Sequence, residues 1–223
     1  MVSALIDDLA ELERWLMLEQ CELKVGIREG YHEITGTYLV KSPDKQVSAS
    51  GPLARFDINL KIYDNHPYVT PTLREAGGLI KVTSDNHVYP NGLLCYGPPQ
   101  FVWASNPDMA LVRFFEEYIH SYFVGYLYFK HHGIWPQGEY EHGGPGVLTA
   151  YSELLKCKQD IHSILGMLKL LSLKFRRDRW PCPCRSDKRL GDCCRPTLNS
   201  AGRKINRKVA VNLLNVFSAD YYL

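Results

Sequence analysis

The chain has 223 residues, 45% hydrophobic and 22% charged, a composition that suits an ordinary folded domain and excludes disordered and fibrous classes. No apolar run approaches the roughly 20 residues of a membrane span, and the opening "MVSALIDDLAELERW" is acidic and amphipathic, unlike a signal peptide, so a cytoplasmic location is the default. The net charge of +2 hides a division: residues 169–208 hold 13 Lys+Arg against 3 Asp+Glu, a local +10 that leaves the remainder at −8.

In chain order, Leu5, Leu9, Leu12 and Leu16 recur at helical spacing and predict a helix over 4–17. "ELKVGIREGYHEITGTYLV" reads as a hairpin turning at Arg28-Glu29-Gly30. "ARFDINLKIYD" is the cleanest strand, with Phe56, Ile58, Leu60 and Ile62 on one face and Arg55, Asp57, Asn59 and Lys61 on the other. After two prolines in "NHPYVTPTLRE", another extended piece runs to about Val82. The stretch "SDNHVYPNGLLCYG", residues 84–97, follows as a loop rich in turn residues.

Beyond it, "DMALVRFFEEYIHSYFVGYLYF" has helical spacing, its aromatic series reading as core and His131-His132 closing the helix near its negative end. Residues 133–146 form a Gly/Pro-rich loop that either covers the core edge, with Trp135 as its anchor, or offers Glu139 and His142 as an acid/base pair, the first being the commoner role of such a loop. Residues 151–175 predict one strong helix, and 205–217 a basic amphipathic one. Helix, antiparallel meander, loop and helices make an α+β chain. The expected division is a domain over 1–160 and a metal-bearing appendage over 161–223.

Four of the seven cysteines fall within residues 182–194, as Cys182-x-Cys184-x8-Cys193-Cys194. Thiolates at this spacing can converge on a tetrahedral Zn²⁺, which would replace the core that so short a segment cannot build. Arg185, Lys188 and Arg189 would offset the charge, and a closed four-sulfur site is structural. An odd cysteine count without a secretion signal argues against disulfides. Cys21 and Cys157 read as small buried apolar residues. The pattern "WPCPCRSDKRLGDCCRP" resembles the SEC-C zinc motif, whose members often serve as docking appendages. The basic segment around it is either a solvated helix and loop or a contact for an acidic partner or nucleic acid.

Cys95 is either one more buried sulfur or a nucleophile presented by its loop. The tight Asn91-Gly92 turn and the nearby His87 would serve the second, but a His and a Cys eight residues apart, taken alone, favour the first. Taken with its neighbours, "DNHVYPNGLLC" resembles the active-site segment of ubiquitin-conjugating enzymes: His-Pro-Asn, an aromatic-Pro-Asn-Gly run, two residues and the catalytic Cys. Val88, Tyr89, Pro90, Asn91, Gly92, Leu94 and Cys95 match in register. Trp103 falls eight positions on, where the family has Trp-Ser-Pro, and Tyr68 and Pro71 match its upstream proline turn. The resemblance covers about residues 1–160 and departs at Asp85-Asn86-His87, where His-Pro-Asn is the rule.

The resemblance implies the ubiquitin-conjugating (UBC) fold and a thioester on Cys95. His87 and the amides of Asn86 and Asn91 would then be the candidates for oxyanion stabilisation or proton abstraction. It extends to the stand-alone conjugating enzymes of cyclic-oligonucleotide-based antiphage signalling (CBASS). That likeness implies a cGAS-like nucleotidyltransferase as the protein transferred and lysines as acceptors. The chain has no Gly-rich nucleotide loop with which to activate a carboxylate itself. Two further readings stay open: a non-catalytic adaptor of the same fold, and a thiol hydrolase using Cys95 with His87 or His142.

Overall fold

The computed structural model describes residues 2–42, 44, 51–67, 69–97, 102, 110–136, 138, 141 and 144–222. Tyr68, Trp103, Glu139 and His142 lie outside the described residues. Two compact units emerge, Met1–Gly97 with Met109–Gly138, and Pro98–Asp108 with Glu139–Leu223. Among the described residues, no helix is long and apolar enough to cross a membrane.

The first unit opens with α1 (Val2–Glu19), whose Leu5, Leu9, Leu12 and Leu16 are all buried, as their spacing requires. Strands β1 (Leu23–Arg28), β2 (Tyr31–Val40), β3 (Ala54–Tyr63) and β4 (Thr72–Glu75) then pair in sequence order as an antiparallel meander. Alternation along β3 sends Phe56, Ile58, Leu60 and Ile62 to the covered face, opposite Ile34 and Tyr38 of β2. The extended piece expected to reach Val82 stops at Glu75. The Glu75 carboxylate accepts from the Gly77 and Ile80 amides at 2.8 and 3.2 Å, which turns the chain away from β3.

The aromatic segment is one continuous helix, α2 (111–132), with a π turn over Phe115–Ile119. The chain itself offers no side-chain cap at its start. Instead Asp8, on α1, accepts from the Leu111 amide at 3.0 and 3.2 Å. Burial, the largest influence, raises the Asp8 pKa above its ordinary value. At the other end Lys130, His131 and His132 sit in the last turn, and Gly133 closes it in the left-handed conformation. Phe123 stacks on both Tyr38 and Phe56, with centroids 5.2 and 4.7 Å apart, and binds the helix to the sheet.

In the second unit, the single helix expected over 151–175 is two helices, α3 (Gly144–Leu155) and α4 (Ile161–Ser172). Lys156 takes a positive φ, and the Asp160 carboxylate caps a new start by accepting from the Ser163 amide at 2.9 Å. A local cap therefore outcompetes continuation of the apolar stripe. Helix α5 (Arg195–Lys204) follows the cysteine cluster, and α6 (Arg207–Tyr222) packs on α4. Cys157 is half-buried, but Cys21 is exposed, against expectation. It lies in the turn between α1 and β1, outside the pairing that buries Leu23.

Candidate active site and metal centre

Residues 84–97 build a small hairpin on the end of β4. Val88 and Leu94 bridge, Tyr89 N–H donates to the Leu93 carbonyl at 2.8 Å, and Gly92 N–H donates to the Tyr89 carbonyl at 2.7 Å. The Asn91 side chain accepts from the Leu93 amide at 3.0 Å, holding the turn from within. Gly92 has φ +80°, and the Arg74 guanidinium stands where a Cβ would be, donating to the Asn91 carbonyl. Leu94 N–H donates to the Leu73 carbonyl at 2.8 Å, and Val88 and Leu94 are buried. A loop with so many backbone bonds is a fixed platform.

Cys95 stands at the exit of this hairpin, half-exposed, its amide donating to the His87 carbonyl at 2.7 Å. The Tyr89 hydroxyl donates to its sulfur at 3.2 Å. On the other flank the Tyr96 hydroxyl donates to the Pro71 carbonyl at 2.6 Å, and its ring meets Phe114 edge-on at 5.0 Å. Burial pushes the Tyr96 and Tyr122 phenols well up, so both stay protonated donors. Tyr122 donates to the Asn86 carbonyl at 2.8 Å. Tyr89 and Tyr122 are the participants that a search for nucleophiles, bases and amides passes over. Tyr89 was visible only as part of the motif's register, and nothing in the sequence marks Tyr122.

The other residues singled out lie in the same loop. His87 adopts φ +52°, and its ring meets Trp135 edge-on at 4.4 Å. Trp135 in turn donates from its indole to the Asp85 carbonyl at 2.9 Å. Asn86 gives its amide to the Lys81 carbonyl at 3.0 Å, so both asparagine side chains are engaged in shaping the loop. Beside Asn86 a cleft of about 410 Å³ opens, lined among others by Lys81, Thr83, Asp85, Tyr126 and Lys130.

In the second unit the four clustered cysteines converge. Cys182, Cys184, Cys193 and Cys194 have sulfurs all within 4.8 Å of one another, with Cys184 3.4 Å from Cys182 and 3.5 Å from Cys193. Two tight turns bring them together, with Arg185 and Asp187 at positive φ and the Cys182 amide donating to the Lys188 carbonyl at 3.0 Å. Gly166 of α4 lets the Cys-Pro-Cys turn approach, since a Cβ there would fall 2.4 Å from Pro183 Cβ. The Ser186 hydroxyl, donating to the cluster, is the main influence drawing Cys184 down to about 6, while burial pushes Cys182 and Cys194 up. Four close sulfurs of this kind could hold a metal ion. No protein-family model, curated protein or solved structure matches the chain.

Proposed function

We propose that this protein is an acyl carrier of the ubiquitin-conjugating type, with Cys95 as the nucleophile. The observation that carries the reading is Cys95 itself, half-exposed at the end of a hairpin bonded on every side, with a phenol donating to its sulfur. The Tyr-Pro-Asn-Gly-x-x-Cys register supports it, as does the order of helix, four-stranded meander and following helices, which suits the UBC fold. The left-handed backbone at His87 supports it further. Asn, Asp and His enter that region more readily than other non-glycine residues, so His meets the backbone demand that an Asn would meet there.

In the reaction, the Cys95 thiolate attacks the carbonyl carbon of an acyl group that arrives already activated, and the donor's leaving group departs with the electron pair. A lysine amine then attacks the resulting thioester. The amine loses its proton, the C–N bond forms, the C–S bond breaks and Cys95 leaves as thiolate. Tyr89 is placed to hold that sulfur's charge at both stages. The identity of the acyl donor, a cGAS-like nucleotidyltransferase in antiphage defence, rests on the resemblance alone. The engagement of Asn86 and Asn91 in the loop favours the second reading, an adaptor that keeps the fold without the chemistry.

The four-cysteine centre fits zinc. At a Zn–S distance of about 2.3 Å a tetrahedral site sets sulfurs about 3.8 Å apart, and the cluster's pairs bracket that value, at 3.4, 3.5 and 3.8 Å with none beyond 4.8 Å. Four protein ligands leave no open position, so the metal's part is structural. Intact mass spectrometry of the protein mixed with an activated donor tests the main reading. A hydroxylamine-sensitive adduct lost in Cys95→Ala is the expected result; no adduct would hand the case to the adaptor.

A further inference from the structure

We propose that the segment joining α4 to the cysteine cluster, with the cluster's own basic loop, is a binding surface for single-stranded nucleic acid. This goes beyond the conjugating reading and does not depend on it.

The segment 173–180, "LKFRRDRW", leaves α4 with its apolar side chains turned outward. Phe175 is 73% exposed and Leu173 42%, in a unit whose other aromatic and leucine side chains largely pack inside. Lys174 sits over the Phe175 ring at 5.7 Å. An isolated exposed phenylalanine is ordinary, but this one is set among unpaired cations. Among the described residues, Arg177, Arg179, Arg185, Lys188 and Arg189 are all exposed and enter no ion pair.

The fold gathers these charges. The Leu190 amide donates to the Trp180 carbonyl at 2.7 Å, the Gly191 amide to the Asp178 carbonyl at 2.9 Å, and Pro181 bridges Arg189. The strip carrying Arg177 and Arg179 is thereby paired with the strip carrying Lys188 and Arg189. Arg176 and Arg195 serve the fold instead. Arg176 donates to the Leu170 and Leu171 carbonyls at the end of α4, and Arg195 reaches the Arg176 carbonyl and Asp178. The remaining guanidinium and ammonium groups are free to meet phosphates.

An exposed ring beside a row of cations suits a strand whose bases are unpaired, because only an unstacked base offers its face to an aromatic side chain. A duplex would use the charges and leave Phe175 idle. An acidic protein would likewise engage the cations with no need of the ring.

Fluorescence anisotropy of the full-length protein with a labelled oligouridylate about 20 nucleotides long provides the test. Binding should weaken with salt at a slope of about −0.7 per phosphate neutralised. Phe175→Ala should weaken binding roughly tenfold without changing that slope, and it should leave metal content and helicity intact because the ring is exposed. Arg177→Ala with Arg179→Ala should reduce the slope by about 1.4. Equal binding of oligothymidylate supports the proposal, since stacking does not read the sugar. No binding at low salt, equal affinity for a duplex of the same length, or full affinity in Phe175→Ala overturns it. Displacement by polyglutamate as effective as by unlabelled RNA also overturns it, and points to an acidic protein.

Discussion

The Tyr89 hydroxyl donates a hydrogen bond to Cys95 Sγ at 3.2 Å, across a hairpin whose two strands are joined at Val88 and Leu94. A donor aimed at sulfur stabilises negative charge there and fixes the direction of attack. Tyr89→Phe removes the donor and keeps the ring. Alkylation of Cys95 by iodoacetamide near neutral pH should slow about 3- to 10-fold, the equivalent of about one net hydrogen bond, while thermal stability stays within a degree or two. An unchanged alkylation rate would show that the contact has no bearing on reactivity.

His87 is constrained by its backbone. At φ +52° a β-branched side chain is strained, so His87→Val should cost about 1–2 kcal/mol in urea unfolding. His87→Asn should cost less than half of that. If Asn also retains thioester formation, the residue's task is to hold the loop; if only histidine does, the imidazole takes part in the chemistry. Equal costs for Val and Asn would remove the backbone explanation.

Metal analysis should find about one zinc per chain, held by Cys182, Cys184, Cys193 and Cys194. With the metal in place, three of the seven cysteines, Cys21, Cys95 and Cys157, should react with a thiol reagent, Cys157 slowest because burial pushes its thiol up to about 11. A strong chelator should release all seven. Helical content should fall with it, because Cys194 is the residue from which α5 starts. Seven reactive thiols before chelation would rule out a metal-bound cluster.

His120 gives the first unit a pH dependence. Burial holds its pKa below the ordinary 6.5, with Glu116 pulling the other way, and its Nδ1 lies 3.2 Å from the Tyr38 hydroxyl. Burial also pushes the Tyr38 phenol up, so the pair is a protonated phenol beside a neutral imidazole, the donor set by the His120 tautomer. The unfolded chain binds this proton more readily than the folded one. Stability from this group is therefore complete above about 6.5 and is lost as pH falls below it. Between about pH 7.5 and 5.5 the wild type should lose more melting temperature than His120→Gln. Parallel losses in the two proteins would assign the pH dependence elsewhere.

Much of this architecture is written in short-range pattern. The leucines of α1, the alternation of β3 and the Cys-x-Cys…Cys-Cys spacing are each readable within about a dozen residues. Burial of one face, or convergence of ligands on one ion, demands such periodicities directly. The Pro-Asn-Gly turn before Cys95 is equally local. Even the break between α3 and α4 has a local sign, Asp160, which an apolar stripe running across it conceals.

Tertiary structure alone decides the rest, because the partners are brought together by folding rather than by neighbourhood. Asp8 caps a helix that begins at Leu111, Tyr122 donates to Asn86, and Trp135 closes on His87. None of these pairs has a sequence signal, since a hydrogen bond between distant segments requires only that one donor and one acceptor meet when the sheet and helix pack. By itself the sequence determined that Cys95 is offered on a turn and that four cysteines can share an ion. Folding decided that a phenol points at the first sulfur, that Asn86 gives its amide N–H to the Lys81 carbonyl, and that Asn91 Oδ1 accepts from the Leu93 amide.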